Sequence, residues 1–150
     1  MKFFPTLWCH VILLSVFIAG STAFSAEPEG GKWILIGFTK YRDAVFMDKN
    51  TTPSHNNVKV WAKIAPSEKS KYYQKMKNEL RKSGKSAKGY KYSEMLNEID
   101  CGHNRIRYLQ VIYYNKKGTT MHTVIDNDPE WKSIVPGSLW ENMQRNACKK

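Results

Sequence analysis

Acidic residues and cysteines are both scarce in this sequence. Its 150 residues hold 13 Asp and Glu against 24 Lys and Arg, a formal net charge of +11, and only three cysteines. Beyond the first twenty or so residues there is no second long apolar run, and spanning a bilayer takes about 20 residues, so the rest of the chain has no transmembrane helix. No C-x-x-C pair is present, which argues against a zinc module built from Cys101, His103 and His122. No serine sits in a nucleophile-elbow setting, and no internal repeat is visible. These absences remove the common signatures of hydrolytic, metal-dependent and repeat proteins.

The N-terminus supplies the strongest local pattern. Lys2 is a short positive region, no charge falls between Phe3 and Ala19, and Val11–Leu14 with Val16–Ile18 form an apolar core. Small residues follow at Ser21-Thr22-Ala23 and Phe24-Ser25-Ala26. This is the layout of a secretory signal peptide over residues 1–26, with cleavage after Ala23 or Ala26. Pro5, Cys9 and His10 interrupt the stretch, so it reads as a cleaved signal and not as an anchor. Ser21 stands where a lipoprotein would carry its modified cysteine, and Cys9 lies too early to serve, so no lipid anchor is expected. The expected location is outside the cytoplasm: periplasm, cell surface or medium.

Lys2 leaves with the signal, so the 24 basic and 13 acidic residues become 23 and 13, a net of +10. Such a field attracts sulfated or carboxylated glycans, lipid phosphates and acidic protein surfaces. It also speaks against an inhibitor of lysozyme, because lysozymes are usually basic and would be repelled. Export leaves Cys101 and Cys148 as the two mature cysteines, and two cysteines in an oxidising compartment pair as one disulfide. The remaining length, 27–150, suits one domain with one core.

Polar residues 27–32 lead into an apolar run, Trp33–Phe38, followed by Arg42–Asp48; these read as two strands joined near Thr39–Tyr41. Asn50 to Asn57 concentrates turn formers and reads as a loop. Val58, Val60, Ala62 and Ile64 then alternate with Lys59, Trp61 and Lys63, the pattern of a half-buried antiparallel strand. Glu68 to Lys82 has helical spacing, with Tyr72, Met76 and Leu80 on one side and Ser67 placed to cap it. A small-residue basic linker, Ser83–Gly89, precedes a strand from Tyr90 towards Cys101. Ile106–Tyr114 and Thr119–Ile125 form a hairpin about Lys116-Lys117-Gly118. Ser138-x-x-Glu141 is a capping box opening a final helix in which Trp140, Met143 and Ala147 share a face and Cys148 can tie the end to Cys101. The architecture is α+β, mainly β: an antiparallel sheet of about five to six strands, a basic helical segment inserted mid-chain, and a C-terminal helix disulfide-bonded to the sheet.

No group of residues converges as a catalytic centre, so no catalytic residue, cofactor or metal is expected. His55 lies in a loop, His103 in a turn and His122 in a strand. Asp126-Asn127-Asp128 lacks the Gly and distant Glu of a calcium loop and reads as a turn. His103, Arg105 and Arg107 could flank a phosphate in a small nuclease, but arginines on a solvent-facing strand are the commoner arrangement. The charge concentrates between Lys63 and Lys91. Lys69, Lys71, Lys75, Lys77, Arg81, Lys82, Lys85, Lys88 and Lys91 face only Glu68 and Glu79, with Tyr72, Tyr73, Tyr90 and Tyr92 interleaved. Lysine with tyrosine grips polyanions; the plainer reading is a solvated helical arm. Candidate partners are a polyanionic glycan, lipopolysaccharide or an extracellular protein, and export argues against nucleic acid.

The ordered set Val58-Lys59-Val60-Trp61, Glu98-Ile99-Asp100-Cys101, Arg105–Leu109, Tyr113–Gly118, Trp131–Ser138 and Cys148 resembles the bacterial surface-adhesin protein E-like family over about Trp33 to Cys148. The resemblance implies a small antiparallel-sheet domain with a helix, a Cys101–Cys148 bridge, and a binding role at the cell surface. It does not specify the lysine-rich stretch Lys69–Lys91. The expected function is a non-enzymatic exported binding domain. The alternatives are a structural or assembly component of the bacterial envelope and, third, a small periplasmic hydrolase or nuclease.

Overall fold

The computed structural model describes residues 31–54 and 56–148; the expected signal segment 1–26 and His55 lie outside them. The chain runs β1 (Trp33–Phe38), β2 (Ala44–Asp48), β3 (Thr52–Ser54), β4 (Asn57–Ala65), α1 (Lys71–Lys82), β5 (Tyr90–Asp100), β6 (Arg105–Asn115), β7 (Thr120–Ile125), β8 (Lys132–Ser133) and α2 (Leu139–Ala147). The strands form a single eight-stranded sheet. Six of them follow the order β1-β2-β4-β5-β6-β7, and every pairing is antiparallel. The expected α+β architecture of five to six strands is therefore met along the main path. The two additional strands are short: β3 extends β4, and β8 pairs with the start of β6. β3 falls inside the stretch read as a loop, and among the described residues it pairs with β4 alone.

Both helices cover the same face of the sheet. The alternation of β4 buries Val60, Ala62 and Ile64, and the register sets Ile64 against Ser93 and Ala62 against Met95. On β6 the same rows continue as Tyr113 and Val111. Val45, Met47, Ile99 and Ile106 complete this face, and Met143 and Ala147 of α2 pack on it with Ile134. At the other end Tyr73, Met76 and Leu80 of α1 pack with Ala87, Tyr90 and Tyr113. The basic segment is thus clamped to the sheet and is not a free arm. The opposite face, with Lys59, Trp61, Lys63, Glu94 and Glu98 in register, carries neither α1 nor α2.

Helix α1 starts three residues later than the spacing suggests. Its cap is Ser70, whose hydroxyl accepts the Tyr73 N–H at 2.9 Å, and not Ser67. Ser67 is held elsewhere: its N–H donates to the buried Asp43 carboxylate at 3.1 Å, and its carbonyl accepts the Ser70 N–H at 2.9 Å. The helix ends in a Schellman motif. Gly84 adopts φ +69°, the Gly84 N–H reaches the Arg81 carbonyl at 3.0 Å, and the Lys85 N–H reaches Leu80 at 2.9 Å. The capping box of α2 forms in part. The Ser138 hydroxyl accepts the Glu141 N–H at 3.3 Å, but the Glu141 carboxylate takes the Gly137 N–H at 2.8 Å, one residue before the cap. The Ser138 N–H is already bonded to the Val135 carbonyl. Cys148 caps the helix and is bonded to Cys101 just after β5, with Cα atoms 5.9 Å apart.

Candidate functional site

Burial of Tyr73, Met76 and Leu80 decides what α1 shows to solvent. Lys71, Gln74, Lys75, Asn78, Arg81 and Lys82 are one or two positions off that stripe and three or four apart from one another, so they share the outward side and with Lys69 and Glu79 line a shallow, open depression of about 660 Å³. Glu79 is its one acid, paired with Lys82 at 3.4 Å. Arg81 leans on the Asn78 side-chain carbonyl at 2.9 Å. Lys71 reaches towards the ring of Tyr41, 6.0 Å from its centroid. Among the described residues no ion pair engages Lys69, Lys71 or Lys75. Glu68, the other acid of the segment, turns to Lys116 at 3.5 Å.

The nine basic residues singled out from the sequence do not form one group. Lys69, Lys71, Lys75, Arg81 and Lys82 share the depression. Lys77 is half-buried on another flank, with its ammonium 5.2 Å from the Tyr73 ring. Lys85 and Lys88 lie in the connection to β5, and Lys91 sits on β5 at an irregularity in the register; all three are exposed. Of the interleaved tyrosines, Tyr73 and Tyr90 are buried, 5.4 Å apart, and are not available to stack on a ligand. Gln74 and Asn78 escaped the sequence reading, because a count of charges passes over neutral hydrogen-bonding groups. Their spacing from Lys71 and Lys82 was the signal that could have found them.

A second polar cluster occupies the face opposite α1 and α2, where β4, β5, β6 and β8 meet. Glu98 accepts from Arg107 Nε at 2.8 Å and Nη2 at 2.6 Å, and from Asn57 Nδ2 at 3.0 Å. Burial pushes the Glu98 carboxyl up, but these donors and the nearby positive charge outweigh it, and its pKa falls below the ordinary value. Asp100 accepts from Arg105 at 2.7 Å and from His103 Nδ1 at 2.9 Å, as well as from the Gly102 and His103 amides. The Arg105 hydrogen bond, reinforced by His103 and opposed by burial, holds its pKa at about 2. The ring of Trp131 lies 4.5 Å from the Arg107 guanidinium and 5.2 Å from that of Arg105. Both arginines are therefore committed to carboxylates and to an indole face. The phosphate site imagined from His103, Arg105 and Arg107 does not assemble.

Cys101 is in the disulfide and offers no thiolate to a metal. Among the described residues no group of three or more His, Cys, Asp or Glu side chains is placed to hold a metal ion, and no helix is long and apolar enough to cross a membrane. A single antiparallel sheet, helices on one face, a basic helix turned outward and a bridged C-terminus define a small domain of the α+β class. The chain belongs to the surface-adhesin protein E family, whose sequence model matches residues 33–149. Searches among curated proteins and among solved structures found no match. Membership supports an adhesin-like role at a surface and points away from catalysis.

Proposed function

We propose that the mature chain is an exported, non-enzymatic binding domain that engages polyanionic ligands through the outward face of α1. Sulfated or carboxylated glycans and the phosphates of lipopolysaccharide share the required chemistry. The observation that carries this reading is the clamping of α1: a helix fixed by Tyr73, Met76 and Leu80 holds Lys69, Lys71, Lys75, Arg81 and Lys82 on one side with a single acid among them. Preorganised cations bind an anion without first losing backbone freedom. The signal segment 1–26, cleaved after Ala23 or Ala26, would deliver the chain across the membrane, and Ser21 in place of a lipidated cysteine would leave it untethered.

Exposed charges act over about 8 Å in physiological salt, so binding to heparin and to lipopolysaccharide should weaken steeply as salt rises. Replacing Lys71, Lys75, Arg81 and Lys82 with Gln should lower affinity by roughly tenfold or more at equal salt and leave the melting curve close to the parent's, because none of these side chains is in the core. Lys77→Gln should change affinity far less, since Lys77 stands outside the depression. Equal affinity of parent and fourfold variant would overturn the reading and move attention to the face of the sheet opposite α1 and α2.

A further inference from the structure

The connection between β1 and β2, Thr39 to Asp43, is fixed by its own hydrogen bonds. The Thr39 N–H donates to the Asp43 carbonyl at 2.9 Å, and the Arg42 N–H to the Thr39 carbonyl at 2.8 Å. The Thr39 hydroxyl donates to Asp43 Oδ2 at 2.9 Å and accepts the Tyr41 and Asp43 amides at 3.1 and 3.2 Å. Arg42 adopts φ +65°, a left-handed conformation unfavourable for a residue with a Cβ, and these bonds hold it there. Asp43 is fully buried, and its other oxygen, Oδ1, accepts the Ser67 N–H at 3.1 Å. One carboxylate thus fixes both the tip of the hairpin and the chain that leads into α1.

A rigid turn of this kind has no structural need of large apolar side chains, yet it presents two. Phe38 is 59% exposed and Tyr41 is 37% exposed. Lys40 and Arg42 stand beside them, both exposed, and no acid lies between Phe38 and Arg42. The Lys40 and Lys71 ammoniums lie 5.2 and 6.0 Å from the centroid of the Tyr41 ring, so the tip adjoins the basic start of α1, where Lys69 is also exposed. Glu68, the acid that precedes Lys69, is turned to Lys116. Single exposed apolar residues are ordinary, but two aromatics fixed on one tip among cations match the lipid–water interface. There aromatic rings sit at headgroup level, and lysine and arginine meet the phosphates. We infer that the β1–β2 tip docks the protein on an anionic phospholipid surface. Phe38 and Tyr41 enter the headgroup layer, and Lys40, Arg42, Lys69 and Lys71 meet the lipid phosphates. The inference rests on the basic-face reading of α1 for Lys69 and Lys71, and adds an apolar contact that a soluble glycan does not require. Binding of this kind grows with the apolar area buried and with the attraction to anionic lipid, and the tip supplies both without first having to be ordered.

The test is co-sedimentation of the oxidised mature chain with vesicles of equal parts phosphatidylcholine and phosphatidylglycerol, set beside vesicles of phosphatidylcholine alone and beside heparin binding. Binding to the mixed vesicles is expected, and far weaker binding to the neutral ones. Phe38→Ser with Tyr41→Ser leaves the charge unchanged and should lower affinity for the mixed vesicles by about tenfold or more. Heparin affinity and the melting curve should stay close to the parent's, because neither ring is in the core. Phe38→Trp should give blue-shifted emission on the mixed vesicles and quenching by lipids brominated in the acyl chain, which a purely electrostatic contact would not produce. Unaltered vesicle affinity in the double-serine variant, or no spectral change in Phe38→Trp beyond that of the parent, would overturn the inference. An equal loss of heparin affinity in the double-serine variant would make the two rings a glycan platform and overturn it as well. A parent that binds heparin and not the vesicles overturns the docking tip and leaves the α1 reading standing. If instead the fourfold α1 variant keeps its heparin affinity, the α1 reading falls, and the double-serine variant still decides the tip.

Discussion

Asp100 shows how one side chain can serve both a turn and a ladder. One of its oxygens accepts the Gly102 and His103 amides just after β5, and the other accepts Arg105 across the hairpin. Its pKa is depressed from 3.8 to about 2, chiefly by the Arg105 hydrogen bond. A depressed carboxyl contributes stability that is fully present above about pH 4 and is lost as the pH falls through about 2. Arg105 is 41% exposed, so water screens the pair and the contribution is on the order of 1 kcal/mol. Asp100→Asn keeps an oxygen for the two amides and removes only the charge. It should lower stability at pH 7 by about 1 kcal/mol, and urea midpoints should fall less steeply from pH 4 to pH 2 than in the parent. Parallel midpoint curves for the two proteins would show that the charge on Asp100 does not matter. Gly37 poses a different residue-scale constraint. It holds φ +143°, and a Cβ added there would lie 2.6 Å from Leu139 Cδ2 of α2. The leucine tip can rotate away but the backbone cannot change region. Gly37→Ala should therefore cost about 1–3 kcal/mol, read as a drop in melting temperature.

At the scale of elements, the start of α1 gives a clean discrimination. Ser70→Ala removes the hydroxyl that accepts the Tyr73 N–H and should cost about 1 kcal/mol. Ser67→Ala should be nearly neutral, because Ser67 contributes its backbone to Asp43 and its hydroxyl receives only a long 3.4 Å bond from Lys69. Thermal melts of the two variants settle which serine caps. The sequence pointed to the wrong one because both serines precede the apolar stripe; the choice depends on Asp43, 24 positions away from Ser67. Strand β4 and helix α2 were legible for the opposite reason, since each carries its periodicity unbroken. β5 was not. Its inward face includes the polar Ser93 and Asn97, its register shifts between Leu96 and Asn97, and its buried Glu98 and Asp100 are balanced by arginines that only the β5–β6 register brings opposite. The basic site was legible as a charge density and illegible as a shape: only the packing of Tyr73, Met76 and Leu80 separates Lys75 and Lys82 from Lys77.

The whole molecule is held by two apolar clusters and one covalent tie, and they do not share the load equally. α1 belongs with Leu80, Tyr90 and Tyr113; α2 belongs with Val60, Ile99 and Met143. α2 has nine residues, too few to persist alone in water. The Cys101–Cys148 bridge spans 47 residues and pins the end of α2 to the β5–β6 turn. Closing a loop of that size removes about 4 kcal/mol of unfolded-chain entropy. Reduction should therefore release α2 before it disturbs α1. Met143, fully buried under the intact bridge, and Met76, buried in the α1 cluster, report the two regions separately. Under mild peroxide, the oxidised protein should protect both methionines. After reduction and alkylation, Met143 should oxidise at least several-fold faster while Met76 stays protected. Equal acceleration at both methionines would mean that the bridge stabilises the domain as one cooperative unit, with α1 and the cations it carries depending on the disulfide as much as α2 does.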